Sequence, residues 1–384
     1  MFNIILLGIT SLLTDISSEM VYPLLPVYLV SVLGASPAIL GLIEGIAESL
    51  ASLLKVFSGY FSDRIKLRKP FTIFGYAASG VGKLLLYVST SWGYVLFSRI
   101  IDRFGKGIRT APRDALIADS SKEGKKGAAF GLHRAMDTLG AVIGVTIAYL
   151  LLTNFKGNLK NVFFLSIIPA IAGVLFLFFV KEKKSAPREK QREMPQLKWG
   201  SLDKRLKLFL VFTFVFTLGN SSNQFLLLRA KEAGNPLPTV ILLYLVYNLV
   251  FSLVSYPAGK LSDKIGRRKL LVLGYLFYGL VYLGFALNHS PAMFWFLFGI
   301  YGIYTGFTEG VEKALVTDIA PQNLRATAIG LHATLVGIGL LPASLFAGLL
   351  WKYIGPQATF YFGSFMGIAA SIGLWFILSE KKHA

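Results

Sequence analysis

The 384-residue chain has no cysteine, and only 15% of its residues are charged. The lack of cysteine excludes a disulfide-stapled secreted fold and a metal site with thiolate ligands. Soluble proteins carry about 25% charged residues, so the low charge, together with 54% hydrophobic residues, argues against an ordinary soluble enzyme. Acidic residues are scarcer than basic ones, with 20 Asp+Glu against 39 Lys+Arg and a formal net charge of +19.

Long apolar runs account for most of the sequence. A helix needs about 20 mostly apolar residues to cross a membrane, and the chain contains twelve such runs, which we call spans 1 to 12. Twelve helices of this kind leave no polar surface to cover a soluble core, so the pattern predicts an all-α membrane protein with twelve transmembrane helices. The runs lie near 4–33, 37–61, 69–89, 92–118, 127–152, 161–181, 206–229, 237–261, 269–288, 291–318, 326–350 and 356–379.

The positive residues between the spans predict the orientation. One set of alternate loops and the C-terminal tail hold 25 Lys and Arg, whereas the other set holds five. Because cytoplasmic loops carry the excess of Lys and Arg, we expect both termini in the cytoplasm and the chain in the cytoplasmic membrane. The net charge is then a topology signal in a protein whose partner is the lipid bilayer, and no nucleic acid is expected.

The two halves of the chain repeat each other. Residues 59–69, GYFSDRIKLRK, match residues 259–269, GKLSDKIGRRK, at an offset of 200, and 115–119 match 314–318 at an offset of 199. The stretch between the two halves, 182–205, is charged and contains two prolines, which is typical of a solvated linker. We therefore predict an N-terminal six-helix bundle (1–181), a cytoplasmic linker (182–205) and a C-terminal six-helix bundle (206–384).

The duplicated segment, Gly-x-x-x-Asp-Arg/Lys-x-x-Arg-Arg/Lys between spans 2 and 3 and again between spans 8 and 9, resembles motif A of the major facilitator superfamily (MFS). Within that superfamily, TDISSEMVYPLLP and RFGKGIRTAPRDALIAD are similar to a branch of prokaryotic permeases. The resemblance implies two pseudo-symmetric bundles around a central cavity lined by spans 1, 4, 7 and 10. It also implies alternating access by rocking of the halves.

The resemblance further implies a gate at the cytoplasmic rim. Asp63 would face the start of span 11 near Arg325, and Asp263 would face the start of span 5. An alternative is that these loops only orient the protein by their positive charge. The predicted gate comprises Gly59, Asp63, Arg64, Arg68, Asp119, Gly259, Asp263, Arg267, Asp318 and Arg325.

Ionisable residues within the spans point to a functional site, because charges at this depth are expensive. Arg99, Asp102, Arg103 and Lys106 follow helical spacing and share one face of span 4, and Arg99 falls on the arginine of the superfamily's motif B. The polar stretches near residues 15–19 and 220–224 are expected to face each other as the floor of a substrate site. The predicted substrate and coupling residues are Asp15, Glu19, Arg99, Asp102, Arg103, Arg109, Arg134, Asp137, Asn220, Asn223, Gln224 and Glu309.

These features predict a secondary active transporter, proton-coupled and monomeric, for a small polar or amphipathic and even anionic solute. The alternative is a lipid-handling protein, flippase- or scramblase-like, on the same fold. No catalytic motif is present, so we expect no enzyme activity, no cofactor and no metal. His133 and His332 are symmetry-related, and a duplicated Gly-Leu-His is as readily a packing motif as a ligand pair. Gly140 and Gly144 predict close helix packing.

Overall fold

The computed structural model describes residues 2–65, 67–121, 126–154, 158–182, 202–320 and 324–377. Within these ranges the chain is helical, and its helices form twelve spans. Two of the spans are irregular, as described below. The bounds are Phe2–Val32 (span 1), Pro37–Ile65, Arg68–Tyr87, Trp92–Ser120, Lys126–Asn154, Leu159–Phe178, Lys204–Gly219 with Gln224–Glu232 (span 7), Leu237–Ile265, Arg267–Leu287, Met293–Ile319, Arg325–Tyr353 and Pro356–Ile377 (span 12).

The predicted fold is confirmed: a helical membrane protein in which two six-helix bundles stand side by side. By length and composition, seven of the described spans are apolar enough to cross a membrane. Span 4 is not among them because its charged stripe lies within the helix. The predicted linker, 182–205, lies mostly outside the described residues, so the exact boundaries of the two halves stay a prediction.

Spans 1 and 7 depart from a regular α-helix at related positions. Span 1 tightens to a 3-10 turn at Tyr22–Leu24, beside Pro23 and Pro26, and widens to a π-helical segment at Tyr28–Val32. Proline removes a backbone donor and clashes with the preceding turn, which accounts for the first distortion. Span 7 is interrupted outright, because residues 220–223 are not helical. The sequence had predicted one continuous span here.

Small residues let neighbouring helices approach to backbone contact. In span 5, a Cβ atom added at Gly140 would lie 2.5 Å from the Leu12 carbonyl oxygen, and one at Gly144 would lie 2.5 Å from that of Ile16. Since real Cβ atoms do not come so close, only glycine permits this crossing of spans 1 and 5. The close packing predicted from the glycine spacing is confirmed, and it fixes the acidic face of span 1.

The two halves pack closely at one end of the molecule, whereas at the other end they are more loosely packed and joined by the exposed Arg134–Glu309 pair. At the end away from the motif A loops, Cβ atoms at Gly45 and Gly348 would clash with the backbone of the other half, and Leu24, Leu40 and Leu227 are fully buried. At the motif A end, Gly131, Gly259 and Gly330 have open space around them. Below we call these the sealed end and the basic end.

We predict opposite stability effects for two substitutions in span 5. Gly144→Val overpacks the contact with Ile16 and should cost about 1–3 kcal/mol. Gly131→Ala fills open space on the same helix and should gain about 0.5–1 kcal/mol, because alanine is the better helix former. Thermal unfolding of the purified protein in detergent measures both. Equal melting temperatures for the two variants would contradict the close approach of spans 1 and 5.

Candidate functional site

A cavity of about 370 Å³ lies between the halves, next to the distortions in spans 1 and 7. Its N-terminal wall is ionic and its C-terminal wall is aromatic and polar. Eight of the predicted site residues line it: Asp15, Glu19, Arg99, Asp102, Arg103, Arg109, Asn220 and Asn223. Ser221 and Ser222, from the same polar break of span 7, also line it.

The innermost ion pair joins spans 2 and 4. Arg99 donates from Nε and Nη2 to the two carboxylate oxygens of Glu44, each at 2.9 Å. Glu44 is completely buried, and the Arg99 side chain is 7% exposed. Such two-pronged pairing holds both groups in a fixed geometry. Because Ser222 of span 7 also donates to Glu44, at 3.3 Å, this pair connects the two halves beside the sealed end.

A second set of pairs follows one helical turn along span 4. Arg103 Nη2 lies 2.9 Å from Glu48 Oε1, and Arg103 Nη1 lies 3.7 Å from Asp102 Oδ2. Asp102 also lies 3.6 Å from Arg99 and 3.7 Å from Lys83 Nζ of span 3. Asp102 is therefore shared among three cations, and together with Glu44 and Glu48 it supplies one carboxylate for each of Arg99, Arg103 and Lys83.

Four ionic side chains on this wall have no ionic partner. Asp15 and Glu19 of span 1, with Lys106 and Arg109 of span 4, line the cavity, yet none of the four forms an ion pair with a described residue. They are electrostatic neighbours, since Asp15 is influenced by both Lys106 and Arg109. Arg109 instead donates to the Ser79 hydroxyl and lies over the Tyr76 ring, 4.3 Å from its centre.

The opposite wall is organised by the break in span 7. Asn223 accepts a hydrogen bond from the Tyr301 hydroxyl at 2.7 Å and donates to the Tyr247 hydroxyl at 3.4 Å. Asn220 donates to the Tyr304 hydroxyl at 3.3 Å. The break thus lets two amide side chains bind three tyrosine hydroxyls from spans 8 and 10. These hydrogen bonds at the hydroxyl groups fix the orientation of the three tyrosine rings.

These tyrosines belong to an aromatic series that crosses between the halves. Tyr22 of span 1 lies 5.5 Å from Tyr244, Tyr244 lies 5.7 Å from Tyr247, and Tyr247 lies 5.2 Å from Tyr301, measured between ring centres. Tyr301 lies 5.2 Å from Tyr304. We call these five residues the tyrosine wall. All of them line the cavity.

Four of the predicted site residues lie elsewhere. Gln224 is fully buried behind the break, and neither of its side-chain polar atoms has a hydrogen-bond partner among the described residues. Asp137 lies 3.5 Å from His133 Nδ1 in span 5. Arg134 and Glu309 form an exposed pair at 3.3 Å between spans 5 and 10, beside a second cavity of about 500 Å³ at the basic end.

The predicted gate residues lie at the basic end and pair within each half. Arg68 donates to the Asp119 carboxylate and, at 3.4 Å, to the Ala115 carbonyl. Arg267 donates to Asp318 at 2.6 Å and to the Ala314 carbonyl at 2.9 Å. The structural equivalent of Arg68 is thus Arg267, not Arg268 as the sequence match at an offset of 200 implied.

The turns explain this shift by one residue. Spans 8 and 9 are joined by Gly266 alone, whose φ of +95° favours glycine, whereas two residues separate spans 2 and 3. Asp263 pairs with Arg267 of the next helix at 3.5 Å, and Arg325 is exposed. Gly59 has only Ala111 of its own half nearby, and Gly259 has nothing within contact distance. The side chains of Asp63 and Arg64 lie outside the described residues.

Several lining residues were not expected at the site. Glu48 and Lys83 were not among the predicted residues, and Lys106 was placed on the charged face of span 4 without a role at the site. Glu44, buried behind the lining, was not predicted either. The spacing of Glu44 and Glu48 by four residues was the available signal, since it places both on one face of span 2. The tyrosine wall had no signal, because its members are spread over spans 1, 8 and 10.

His133 and His332, the symmetry-related histidines, each have a carboxylate nearby. Besides the His133–Asp137 pair, His332 Nε2 lies 3.6 Å from Glu312 Oε2, and Tyr275 donates to Glu312 at 3.0 Å. In the part of the chain that the structure describes, no group of three or more His, Asp or Glu residues is arranged to hold a metal ion.

The family model of the Major Facilitator Superfamily matches residues 7–228 and 208–384. The chain belongs to the major facilitator superfamily. An MFS-type transporter of Methanocaldococcus jannaschii is 43% identical over 382 residues, which is 98% of this chain and 94% of that protein. The inner membrane transport protein YajR of Escherichia coli is 25% identical over 94% of this chain and 80% of its own length.

Solved structures share the fold. The nucleoside transporter NupG superimposes with a TM-score of 0.84 over 99% of this chain and 100% of its own, at 13% sequence identity. At this identity the likeness shows the fold alone. Family and fold together make the chain a multi-pass membrane transport protein with a small-molecule substrate.

We predict that the Arg99–Glu44 pair is needed for stability. Glu44→Gln removes the bidentate partner of a buried guanidinium, which keeps only the more distant carboxylates of Asp102 and Glu48, and should cost about 3–5 kcal/mol. The double variant Glu44→Gln/Arg99→Gln should recover part of this loss. Arg134→Gln, which breaks an exposed pair, is the control and should cost about 1 kcal/mol or less. Melting temperatures in detergent that do not separate Glu44→Gln from Arg134→Gln would refute the prediction.

Proposed function

We propose that the protein is a proton-coupled secondary transporter that moves a small polar or amphipathic, anionic solute across the cytoplasmic membrane by alternating access. The supporting observation is the cavity between the halves, which two acids and two bases line without an ion-pair partner among the described residues. Unpaired charges at membrane depth are costly. Four such charges in one cavity therefore support a role for them in binding the solute.

The packing at the two ends supports alternating access. Helices from both halves meet at the sealed end, whereas the glycines of spans 5, 8 and 11 stand free at the basic end. The basic end carries the Lys- and Arg-rich loops, so we assign it to the cytoplasm. On this assignment the structure corresponds to an inward-facing state, and a second state would close the basic end and open the other.

The gate residues are proposed to act in that second state. In this conformation Arg68 and Arg267 bind carboxylates and carbonyls of their own halves. Closure would bring the motif A helices against spans 5 and 11, where Arg325 is exposed and free to meet an acid. The motif's carboxylates, Asp63 and Asp263, are the proposed partners. Gate contacts that exist in one state bias the equilibrium between the two.

Asp15 and Glu19 are proposed as the proton sites. A carboxylate in a poorly hydrated cavity tends to hold a proton, while a neighbouring cation favours its release. Both acids have Lys106 as an electrostatic neighbour. A proton on either acid would release Lys106 and Arg109 to attract an anion. Asp137, an electrostatic neighbour of Asp15, is proposed as an accessory group.

The lipid-handling alternative is less well supported, because the cavity wall consists of ionic side chains, amides and tyrosines. The names of similar proteins include a multidrug resistance efflux pump homolog of Lactococcus lactis and the nucleoside transporter. These point to small solutes as the cargo of such folds. The direction of transport is left open by the proposal.

Proton coupling is tested in liposomes that contain a pH-sensitive dye. We expect a panel of polar and anionic aromatic solutes to include one that drives proton movement in the wild type. Asp15→Asn and Glu19→Gln should lose this movement because they cannot exchange a proton.

The control is Glu232→Gln, an acid-to-amide change at an exposed residue outside the cavity, which should behave like the wild type. Solute-driven proton movement that persists equally in all three variants would refute the coupling proposal. Scrambling of labelled lipid without solute movement would favour the alternative.

A further inference from the structure

We infer that the central site binds an aromatic organic monoanion together with a proton. This inference rests on the proposed function and narrows its substrate class. The argument uses the charge balance of the cavity, the chemistry of its two walls and its size.

The charges of the empty cavity cancel. Five bases line it, and four lining acids plus the buried Glu44 oppose them; the bases are Lys83, Arg99, Arg103, Lys106 and Arg109, and the lining acids are Asp15, Glu19, Glu48 and Asp102. Because uncompensated charge is costly in a low-dielectric space, an anion that enters alone creates an excess of one negative charge. Uptake of one proton restores the balance.

The existing ion pairs indicate where the anionic group of the solute and the proton bind. Arg99, Arg103 and Lys83 already have carboxylates within ion-pair distance. Lys106 and Arg109 are the lining bases without a carboxylate partner among the described residues, and Lys106 is exposed to the cavity. The acidic group of the solute therefore belongs at Lys106 and Arg109. The proton belongs on Asp15 or Glu19. One carboxylate oxygen of Glu19 is buried and has no hydrogen-bond partner among the described residues.

The tyrosine wall recognises the other end of the solute. Its hydroxyls at Tyr247, Tyr301 and Tyr304 are already bound by Asn220 and Asn223. Their hydrogen-bonding capacity is thereby reduced. The rings pack against one another and are only 3–8% exposed (Tyr247 8%, Tyr301 3%, Tyr304 5%), so the wall offers the solute a narrow aromatic surface. Aromatic rings attract one another in offset and edge-to-face arrangements. This wall suits an aromatic ring better than a sugar, whose hydroxyl groups would need free polar partners.

The size of the site agrees with this class. A cavity of about 370 Å³ is at the lower end of the range for small-molecule sites, about 300–1,000 Å³. It holds one ring with a short acidic arm between the bases of span 4 and the tyrosines of spans 8 and 10.

Linked binding of anion and proton has a measurable consequence. If a proton on Asp15 or Glu19 strengthens anion binding, the anion strengthens proton binding by the same factor. Affinity for an anion that stays ionised throughout must then increase as the pH falls. In Asp15→Asn, where the acid is permanently neutral, the affinity should depend less on pH.

The test uses benzoate as the probe with the purified full-length protein in detergent. Thermal shift and calorimetry at pH 6 and pH 8 compare benzoate with benzamide, benzylamine, acetate and glucuronate. We expect benzoate to bind most tightly and to bind more tightly at pH 6. Lys106→Gln should lower the affinity for benzoate by about tenfold or more, as expected for loss of a charged contact. Lys313→Gln, outside this cavity, is the matched control.

Two substitutions at Tyr247 of the tyrosine wall distinguish a loss of the ring contact with benzoate from a loss of folding. Tyr247→Phe keeps the ring and should keep benzoate binding, whereas Tyr247→Ala should lose it while both variants retain a cooperative melting transition. Tighter binding of benzylamine or glucuronate than of benzoate would overturn the assigned class, even with proton coupling through Asp15 intact. Two results together would overturn the proposed coupling instead. The first is benzoate binding that does not depend on pH, and the second is proton movement that persists in Asp15→Asn.

Discussion

The structure depends on the cost of placing ionic groups within a membrane-spanning bundle. Such groups must be paired, or they must face water. Span 4 satisfies this requirement in two ways along one helix. Arg99 and Arg103 are paired with acids of span 2, whereas Lys106 and Arg109 line the cavity and have no carboxylate partner in the part of the chain that the structure describes. The ion pairs near the sealed end connect the helices of the N-terminal bundle. In the proposed function, the bases next to them that lack a carboxylate partner among the described residues bind the solute.

The division of labour between the halves follows from this arrangement. The N-terminal half supplies the ionic groups, and the C-terminal half supplies tyrosines and the broken helix whose amides orient them. Ser222 lies where the two systems meet, because it belongs to the break and donates to Glu44. A rigid-body movement of one half against the other would change this contact. The buried ion pair and the break in span 7 are thus mechanically connected.

Much of the fold could be predicted from the sequence, because apolar length, loop charge and the duplicated motif are local signals. The shared face of Arg99 and Arg103 also followed from helical spacing. The partners of these residues did not, since pairing depends on which helix faces meet in three dimensions. The break at residues 220–223 follows Gly219 and consists of Asn and Ser, a composition typical of loops, but the apolar residues on both sides favoured one continuous span. Arg134, Asp137, Gln224 and Glu309 share the polarity of the site but lie outside the cavity.

The proposed alternating access would open the two ends of the molecule in turn, and the chain is well suited to testing this because it has no native cysteine. Spin labels at Gly131→Cys and Gly330→Cys report on the basic end, and labels at the exposed Ser91→Cys and Ser290→Cys report on the other end. Double electron–electron resonance in liposomes, with and without solute and at two pH values, gives the distance distributions. The account predicts two populations at each end whose occupancies change in opposite directions. A single fixed distance at both ends, or distances that lengthen together, would contradict it.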